Sequence, residues 1–390
     1  MDFELTTEQK DLQQRARAFV QNEIFPNSRE WPTCAHDYSR ELKAELLRKW
    51  ADYGLAKLMI PKDYGGQGLG AMEDIIVLAE VARSPKVMPR GAFLSLWPAF
   101  YDASEAIKAK YLYPVLNAET SMSTCFTEPD AGSDLAGVKT TAVMKGDHYV
   151  LNGHKLWRTG HADSSFTAVL AVTDPSKGRR GMSMFLVDND APGFTKVRDI
   201  RVLADRYWGM EQETRLENVI VPAENLLGGE GGGFSLGQQQ FNWHRLRLGG
   251  MALGMAERSL EIAVQFAKER VVFGKPLGSN QAIQWMITDS QYDIESIRWA
   301  TYYGAWIVDR GGYANARLQA ATVKAYCIDA VLRVIDRCMQ VLGGRGLMLD
   351  DYPFGDFYNL MRMCKQMEGS TETMKMVMAR EILGRETTGD

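Results

Sequence analysis

Three short stretches of the sequence hold residue types that suit chemistry better than scaffold. The first is Cys125-Phe126-Thr127-Glu128-Pro129-Asp130-Ala131-Gly132-Ser133-Asp134. Small residues let backbone amides approach a polar ligand, and hydroxyls add donors. Trp157-Arg158-Thr159 follows it, and a Trp beside a Thr can cover and hydrogen-bond an aromatic cofactor. An ordinary turn is the plain alternative for the first stretch. The second is Arg270-Val271-Val272-Phe273-Gly274-Lys275-Pro276-Leu277, with Gln281 beyond. A cation and an aromatic ring in one loop suit a pyrophosphate and an adenine, although a cation at a helix end is stabilised there anyway. The third is Gln340-Val341-Leu342-Gly343-Gly344-Arg345-Gly346, followed by Met367-Glu368-Gly369-Ser370-Thr371-Glu372. Its glycines also read as a helix C-cap, and Glu368 as the acidic first turn before a last helix over 371–383. Taken singly, each bland reading stays open.

Other patterns exclude chemistry. Gly66-Gln67-Gly68-Leu69-Gly70-Ala71 fits a loose dinucleotide-binding fingerprint. That motif needs a preceding strand and a βαβ unit, and here the preceding apolar run is short and ends in Pro61. A Gly-rich turn between two helices is expected instead. The histidines include no His-Glu-x-x-His, and His154 and His161 are too few ligands for a metal site. The five cysteines form no Cys-x-x-Cys pair. The net charge of -4 leaves no broad basic footprint for nucleic acid or anionic membrane, so a phosphate-bearing ligand needs a local patch. No apolar run is long enough to span a bilayer, and no h-region follows Met1-Asp2-Phe3-Glu4-Leu5. The expectation is a cytoplasmic protein with reduced thiols, no metal, and neither nucleic acid nor membrane as a partner.

The elements that must position these stretches change along the 390 residues. Helices are expected over 6–22, where Thr6-Thr7-Glu8-Gln9 offers a cap, and over 39–53 and 71–83. The middle reads as strands: 166–172, 182–187, 194–197 and 216–221, with Asn152-Gly153 as a hairpin signal. After Gly228–Gly233, apolar residues recur at helical spacing. Leu253, Ala256, Leu260, Ala263 and Ala267 make one stripe; Leu318, Ala321, Ala325, Ile328, Leu332, Ile335 and Met339 make another. The order is helices, strands, then a helical bundle.

In their order and spacing the three stretches resemble the acyl-CoA dehydrogenase family across essentially the whole chain. Thr127-Glu128-Pro129 through Gly132-Ser133-Asp134 looks like the family's Thr-Glu-Pro-x-Ala-Gly-Ser-Asp signature. Arg270 to Leu277 looks like its Arg-x-x-Phe-Gly-x-x-Leu loop, and Gln340 to Gly346 like its Gln-x-x-Gly-Gly-x-Gly segment. Glu368-Gly369-Ser370 stands where medium- and short-chain members carry Glu-Gly-Thr. The resemblance implies an α+β multidomain fold: an N-terminal helical domain over 1–122, a small antiparallel β-barrel or sandwich over 123–228, and a C-terminal four-helix bundle over 229–390.

It also implies roles. Glu368 would be the catalytic base, removing an α-proton while the β-hydride goes to FAD. Phe126, Thr127, Trp157 and Thr159 would line the isoalloxazine, and Ser133 would sit near the flavin phosphates or the CoA. Arg270, Phe273 and Gln281 would hold the ADP half of FAD in a neighbouring subunit. Gln340, Gly343 and Gly344 would meet the pyrophosphate or adenosine, and Ser370 and Glu372 would border the flavin. Asn242, His244, Arg245, Met367 and Gly369 match substrate-side positions. The product would be a trans-2-enoyl-CoA, the electron acceptor an electron-transfer flavoprotein, and the assembly a homotetramer. An acyl-CoA oxidase or flavin monooxygenase on the same fold, or a FAD-binding subunit of a hetero-oligomer, are the rivals. The chain departs from the pattern at Asp130, at Arg158, at Met367, and at His244, which occupies the place of the catalytic Glu in long-chain and isovaleryl-type members. Phe93, Trp97, Phe100, Tyr101 and Trp243 read either as acyl-site walls or as core.

Overall fold

The computed structural model describes residues 4–388 apart from 33, 35–36, 85, 87, 90–91, 95, 161, 163 and 205–210. His161 therefore lies outside the described residues. Two compact units emerge. One gathers Met1–Met88 with Asn242–Asp390, the other Pro89–Asp205 with Gly209–Phe241.

The first unit opens with α1 (Thr7–Phe19), which starts on the expected capping box: Thr6 Oγ1 accepts from the Gln9 N–H, and Gln9 Oε1 accepts from the Thr6 N–H. A π-helical turn, Val20–Ile24, continues it. Helix α2 (Arg40–Asp52) is capped by Ser39. Helix α3 (Ala71–Val81) is buried along most of its length. Its N-terminal amides are taken by Asp309, which accepts from Ala71 N at 2.5 Å and Met72 N at 3.0 Å. The Gly-rich turn before α3 thus has no donors left for a phosphate. Its Gly66 is there because a Cβ would fall 2.0 Å from the Ile60 carbonyl oxygen.

In the second unit a helical run over 105–116 leads into a sheet. The strands are β1 (Ser121–Cys125), β2 (Thr141–Lys145), β3 (His148–Arg158), β4 (Ser164–Val172), β5 (Met182–Asp188), β6 (Phe194–Ile200), β7 (Glu211–Pro222) and β8 (Leu226–Leu227). Their order is β6-β7-β3-β2-β4-β5-β8, with β1 beside β4. Most pairings are antiparallel; β1 with β4, and β2 with β4 at Thr141, are parallel. Leu151, Val169, Phe185 and Val219 form the centre of its core.

The Asn152-Gly153 hairpin expected from the sequence is not there. The two residues lie inside β3, at a break in its register with β7. Asn152 Oδ1 accepts from the Asn218 N–H across that bulge at 2.8 Å, and a Cβ on Gly153 would strike Thr140. The turn sits instead between β2 and β3 at Gly146, whose φ is +66°.

Helix α4 (Gly233–Glu269) begins in the second unit and runs on from Asn242 in the first. A short hairpin follows, β9 (Val271–Val272) and β10 (Lys275–Pro276), then α5 (Gln281–Gly311) and α6 (Arg317–Thr322). A π-helical turn, Val323–Cys327, joins α6 to α7 (Ile328–Leu342). Helices α8 (Phe354–Cys364) and α9 (Thr371–Leu383) complete the unit. The first expected stripe is buried throughout. In the second, Ala321, Ala325, Ile328 and Ile335 are buried, while Leu318, Leu332 and Met339 lie at its edge.

Helices α3 and α4 close tightly on a glycine. A Cβ at Gly254 would lie 1.9 Å from the Ala79 carbonyl oxygen. Gly254→Ala is expected to force the helices apart and cost about 1–3 kcal/mol, the usual range for overpacking, measured as a lower denaturant midpoint at an unchanged slope.

Candidate active site

The link between α8 and α9 carries Glu368, and its backbone is unusual. Glu368 has φ +56° and Gly369 has φ +92°, a left-handed pair that then hands the chain to Ser370, the N-cap of α9. A non-glycine residue in this region costs roughly 1–3 kcal/mol and persists only where its surroundings impose it. Those surroundings are visible. Arg245 Nε donates to the Glu368 carbonyl at 2.8 Å, and Arg245 Nη1 donates to Asn242 Oδ1 at 2.9 Å. Both residues come from α4. Lys324, on the π-helical turn, donates from Nζ to the Lys365 carbonyl at 2.6 Å, three residues before Glu368. A substituent on Gly369 would press on the Met374 methyl.

The side chain is held on one oxygen only. Oε1 faces His244 Nδ1 at 3.1 Å, whereas Oε2 is closed off from solvent and has no hydrogen-bond partner. Burial, against the attraction of Glu368, pulls the Arg245 guanidinium down to about 10. Burial likewise brings the Lys324 ammonium down to about 8. Asn242, His244, Arg245, Glu368 and Gly369 are therefore brought together in one hydrogen-bonded cluster, with Met367 adjoining in the chain. Lys324 was missed in the sequence, although a lysine set among Ala321, Ala325 and Ile328 on an apolar helix is the signal that finds it. Asp74 was missed too: fully buried on α3, it pairs with Arg247 Nε at 3.2 Å.

The second unit holds the signature stretch at the end of β1. Leu156 N donates to the Thr127 carbonyl at 2.9 Å, and Thr124 bridges Thr159, so the two stretches that flank Trp157 lie side by side. Trp157 has φ +62° and keeps its indole half exposed, with the hydroxyl of Thr159 next to its own carbonyl. Phe126 is buried against Trp97 and edge-on to Phe241. Trp97, Phe100 and Trp243 are core residues. Ser133 is exposed.

Glu128 of the same stretch is a structural clamp. Its carboxylate accepts from Thr140 N and Oγ1, from Lys139 N, and from the fully buried Lys155 ammonium at 2.9 Å. Burial opposes ionisation of Glu128, but Lys155 and these donors outweigh it and hold the carboxyl below its usual range.

The remaining residues lie at turns, hairpin tips and helix ends. Phe273 and Gly274 form the tip of the β9–β10 hairpin, both with positive φ, and Phe273 is fully exposed. Arg270 and Gln281 flank that hairpin and are exposed. Gly343 caps α7 with φ +59°, so the C-cap reading holds; yet nothing lies within 4 Å of where a Cβ would stand on Gly343 or Gly344, and Gln340 is exposed beside them. Ser370 caps α9, accepting from Thr373 N, and Glu372 lies in its first turn. No group of three potential metal ligands occurs among the described residues, and no helix there is long and apolar enough to cross a membrane.

The geometry has counterparts. The chain matches the acyl-CoA dehydrogenase N-terminal domain over residues 6–119, the middle domain over 123–219 and the C-terminal domain over 231–383. It is 34% identical to the acryloyl-CoA reductase (NADH) of Anaerotignum propionicum, over 99% of this chain and 97% of that protein. The chain belongs to the acyl-CoA dehydrogenase family. The structure of butyryl-CoA dehydrogenase from Megasphaera elsdenii superposes with a TM-score of 0.85 at 30% identity, covering 98% of this chain and all of that one. A chain from the structure of an electron transferring flavoprotein of Acidaminococcus fermentans does so with a TM-score of 0.87 at 31% identity and the same coverage. The three family domains take α1–α3, β1–β7 and α4–α9 in turn.

Within this family member, Glu128→Ala leaves Lys155 buried and charged with its counter-ion gone. The expected cost is about 3–5 kcal/mol, read from chemical denaturation, with Glu128→Gln falling between the wild type and Glu128→Ala.

Proposed function

We propose that the chain dehydrogenates an acyl-CoA thioester across its α,β bond, giving the trans-2-enoyl-CoA, with Glu368 as the base. The observation that carries this is the buried, unpartnered Oε2 of Glu368. An acceptor oxygen shut off from water is costly unless a ligand, or the proton it takes from one, fills that side. Arg245 fixes the Glu368 carbonyl and with it the base of the side chain, so the carboxylate meets the substrate in one pose. The Glu368 main-chain N–H is our donor to the thioester oxygen, which must be polarised before the weakly acidic α-proton can leave.

The residues present fit FAD. The open backbone at Gly343 and Gly344 suits close approach of a pyrophosphate, and the exposed Trp157 indole beside Thr127 and Thr159 suits a flat polar ring. We assign Phe126, Thr127, Trp157 and Thr159 to the isoalloxazine, Ser133 to the phosphates or the CoA, Gln340, Gly343 and Gly344 to the pyrophosphate or adenosine, and Ser370 and Glu372 to the flavin border. Asn242, His244, Arg245, Met367 and Gly369 take the substrate side. Bound FAD supplies the acceptor for the β-hydride. The electron acceptor we propose is an electron-transfer flavoprotein, and the functional division is 1–122, 123–228 and 229–390.

The assembly we propose is a homotetramer. Arg270, Phe273 and Gln281 would reach the ADP half of FAD in a neighbouring subunit, which gives the exposed hairpin tip a reason to exist. Trp285, Tyr292 and Trp299 stand exposed at seven-residue spacing along one face of α5, an apolar stripe that suits burial by another copy. A second reading has the same base working in reverse, protonating the α-carbon of a short enoyl-CoA; the likeness to an acryloyl-CoA reductase supports it.

Denaturation of the purified protein should release a yellow supernatant. Glu368→Gln should keep its FAD and lower the rate of anaerobic flavin bleaching by an acyl-CoA substrate about 10²- to 10⁴-fold, the usual loss for a general base. Bleaching at near wild-type rate would sink the assignment. Phe273→Ala should lower FAD occupancy, and light scattering that reports a monomer with full FAD content would refute the shared site.

A further inference from the structure

A base that sits in a closed site must also get rid of the proton it takes. Glu368 Oε2 has neither solvent nor a hydrogen-bond partner, and the side chain as a whole is 16% exposed. Several titratable groups surround it. Cys364 on α8 is buried and its thiol is pushed up to about 12 by burial, so it keeps its proton near neutrality and relays none. Arg245 is buried and spent on the Glu368 carbonyl and Asn242. Lys324 is buried and tied to the Lys365 carbonyl. Asp74 is buried and ion-paired to Arg247. His244 differs from all four: Nδ1 meets Glu368 Oε1 at 3.1 Å, yet the side chain is 34% exposed.

We propose that His244 is the proton port of the site, carrying the α-proton from Glu368 to water. The proposal rests on Glu368 being the base. In the outward step the carboxyl turns about Cγ–Cδ so that the protonated oxygen faces the ring; its O–H bond then breaks and an N–H bond forms at Nδ1 of a neutral, Nε2-protonated ring. An imidazolium–carboxylate pair results. A half-turn of the ring about Cβ–Cγ then presents that proton to water, which accepts it as the N–H bond breaks; the base is ionised again and the ring neutral.

The test uses the FAD-loaded protein, without an electron acceptor, in anaerobic D₂O with an acyl-CoA that bleaches the wild type. Two rates are read: bleaching, and deuterium incorporation at the α-carbon of recovered acyl-CoA by mass spectrometry. Their ratio cancels effects on binding. His244→Gln is expected to lower the ratio of exchange to bleaching about tenfold or more, less than the roughly 10²- to 10⁴-fold loss of a general base because the base itself remains. Added imidazole, able to enter where a third of the ring is open to water, is expected to restore it. Flavin absorbance shows whether the variant is intact, and His244→Asn replaces it if not. An unchanged ratio, or a lowered ratio that imidazole leaves untouched, overturns the port while leaving the base standing. Glu368→Gln separates the two ideas: loss of both rates keeps the base, and retention of both removes the base and the port together.

Discussion

The hydrogen bond from Arg245 to the Glu368 carbonyl is the interaction on which the candidate site depends. A left-handed glutamate followed by a left-handed glycine has less strained alternatives, and the link's own bonds, from Thr371 N to the Lys365 carbonyl and from Thr373 N to Ser370 Oγ, leave the Glu368 carbonyl to be held from outside. The guanidinium does so by taking the carbonyl in a fixed direction. It can because Asn242 holds its other arm and because α4 is itself wedged in place by glycines. A side chain of α4 thus sets a peptide group 123 residues downstream. The side chain then needs few contacts of its own, which is why one of its oxygens is left for something else.

The second unit solves a related problem differently. Burying Lys155 completely would be prohibitive alone, and Glu128 makes it tolerable by gathering the ammonium, a hydroxyl and two amides on one carboxylate. The signature around Thr127 is therefore only partly about ligands. Its glutamate knits the loop after β1 to β3, and that fixes the strand end from which Trp157 projects at positive φ. Arg158, the departure beside it, turns inward to Gln212 and Ser123.

Much of this was legible in the sequence for local reasons. The capping box at Thr6, the strand runs of β4 to β7 and the apolar stripes of α4 and α7 follow from spacing, and spacing survives folding. Glu368, Arg245 and His244 were named together through the family resemblance, and in the structure both α4 side chains reach Glu368. The errors and omissions share a different cause. Asn152-Gly153 is a good turn by its own chemistry, but Thr140 and Asn218 decide its use, and neither is near it in sequence. Lys324 and Asp74 gain their meaning from Lys365 and Arg247, which no local window includes. The parallel course of β1 along β4 depends likewise on pairing across an intervening hairpin.

The cap that Asp309 places on α3 has a consequence for the order in which the molecule is made. The carboxylate is 237 residues downstream of Met72, whose amide it holds. At roughly 5–20 residues per second of synthesis, about 12–50 s pass between the two leaving the ribosome. During that interval α3 has no cap from this source. Its apolar faces, Ile75, Ile76 and Val77 among them, wait for helices not yet translated. The second unit lies between and is continuous enough to form in the meantime. A nascent chain of this kind carries the whole second unit behind a helical segment whose apolar faces are not yet fully covered.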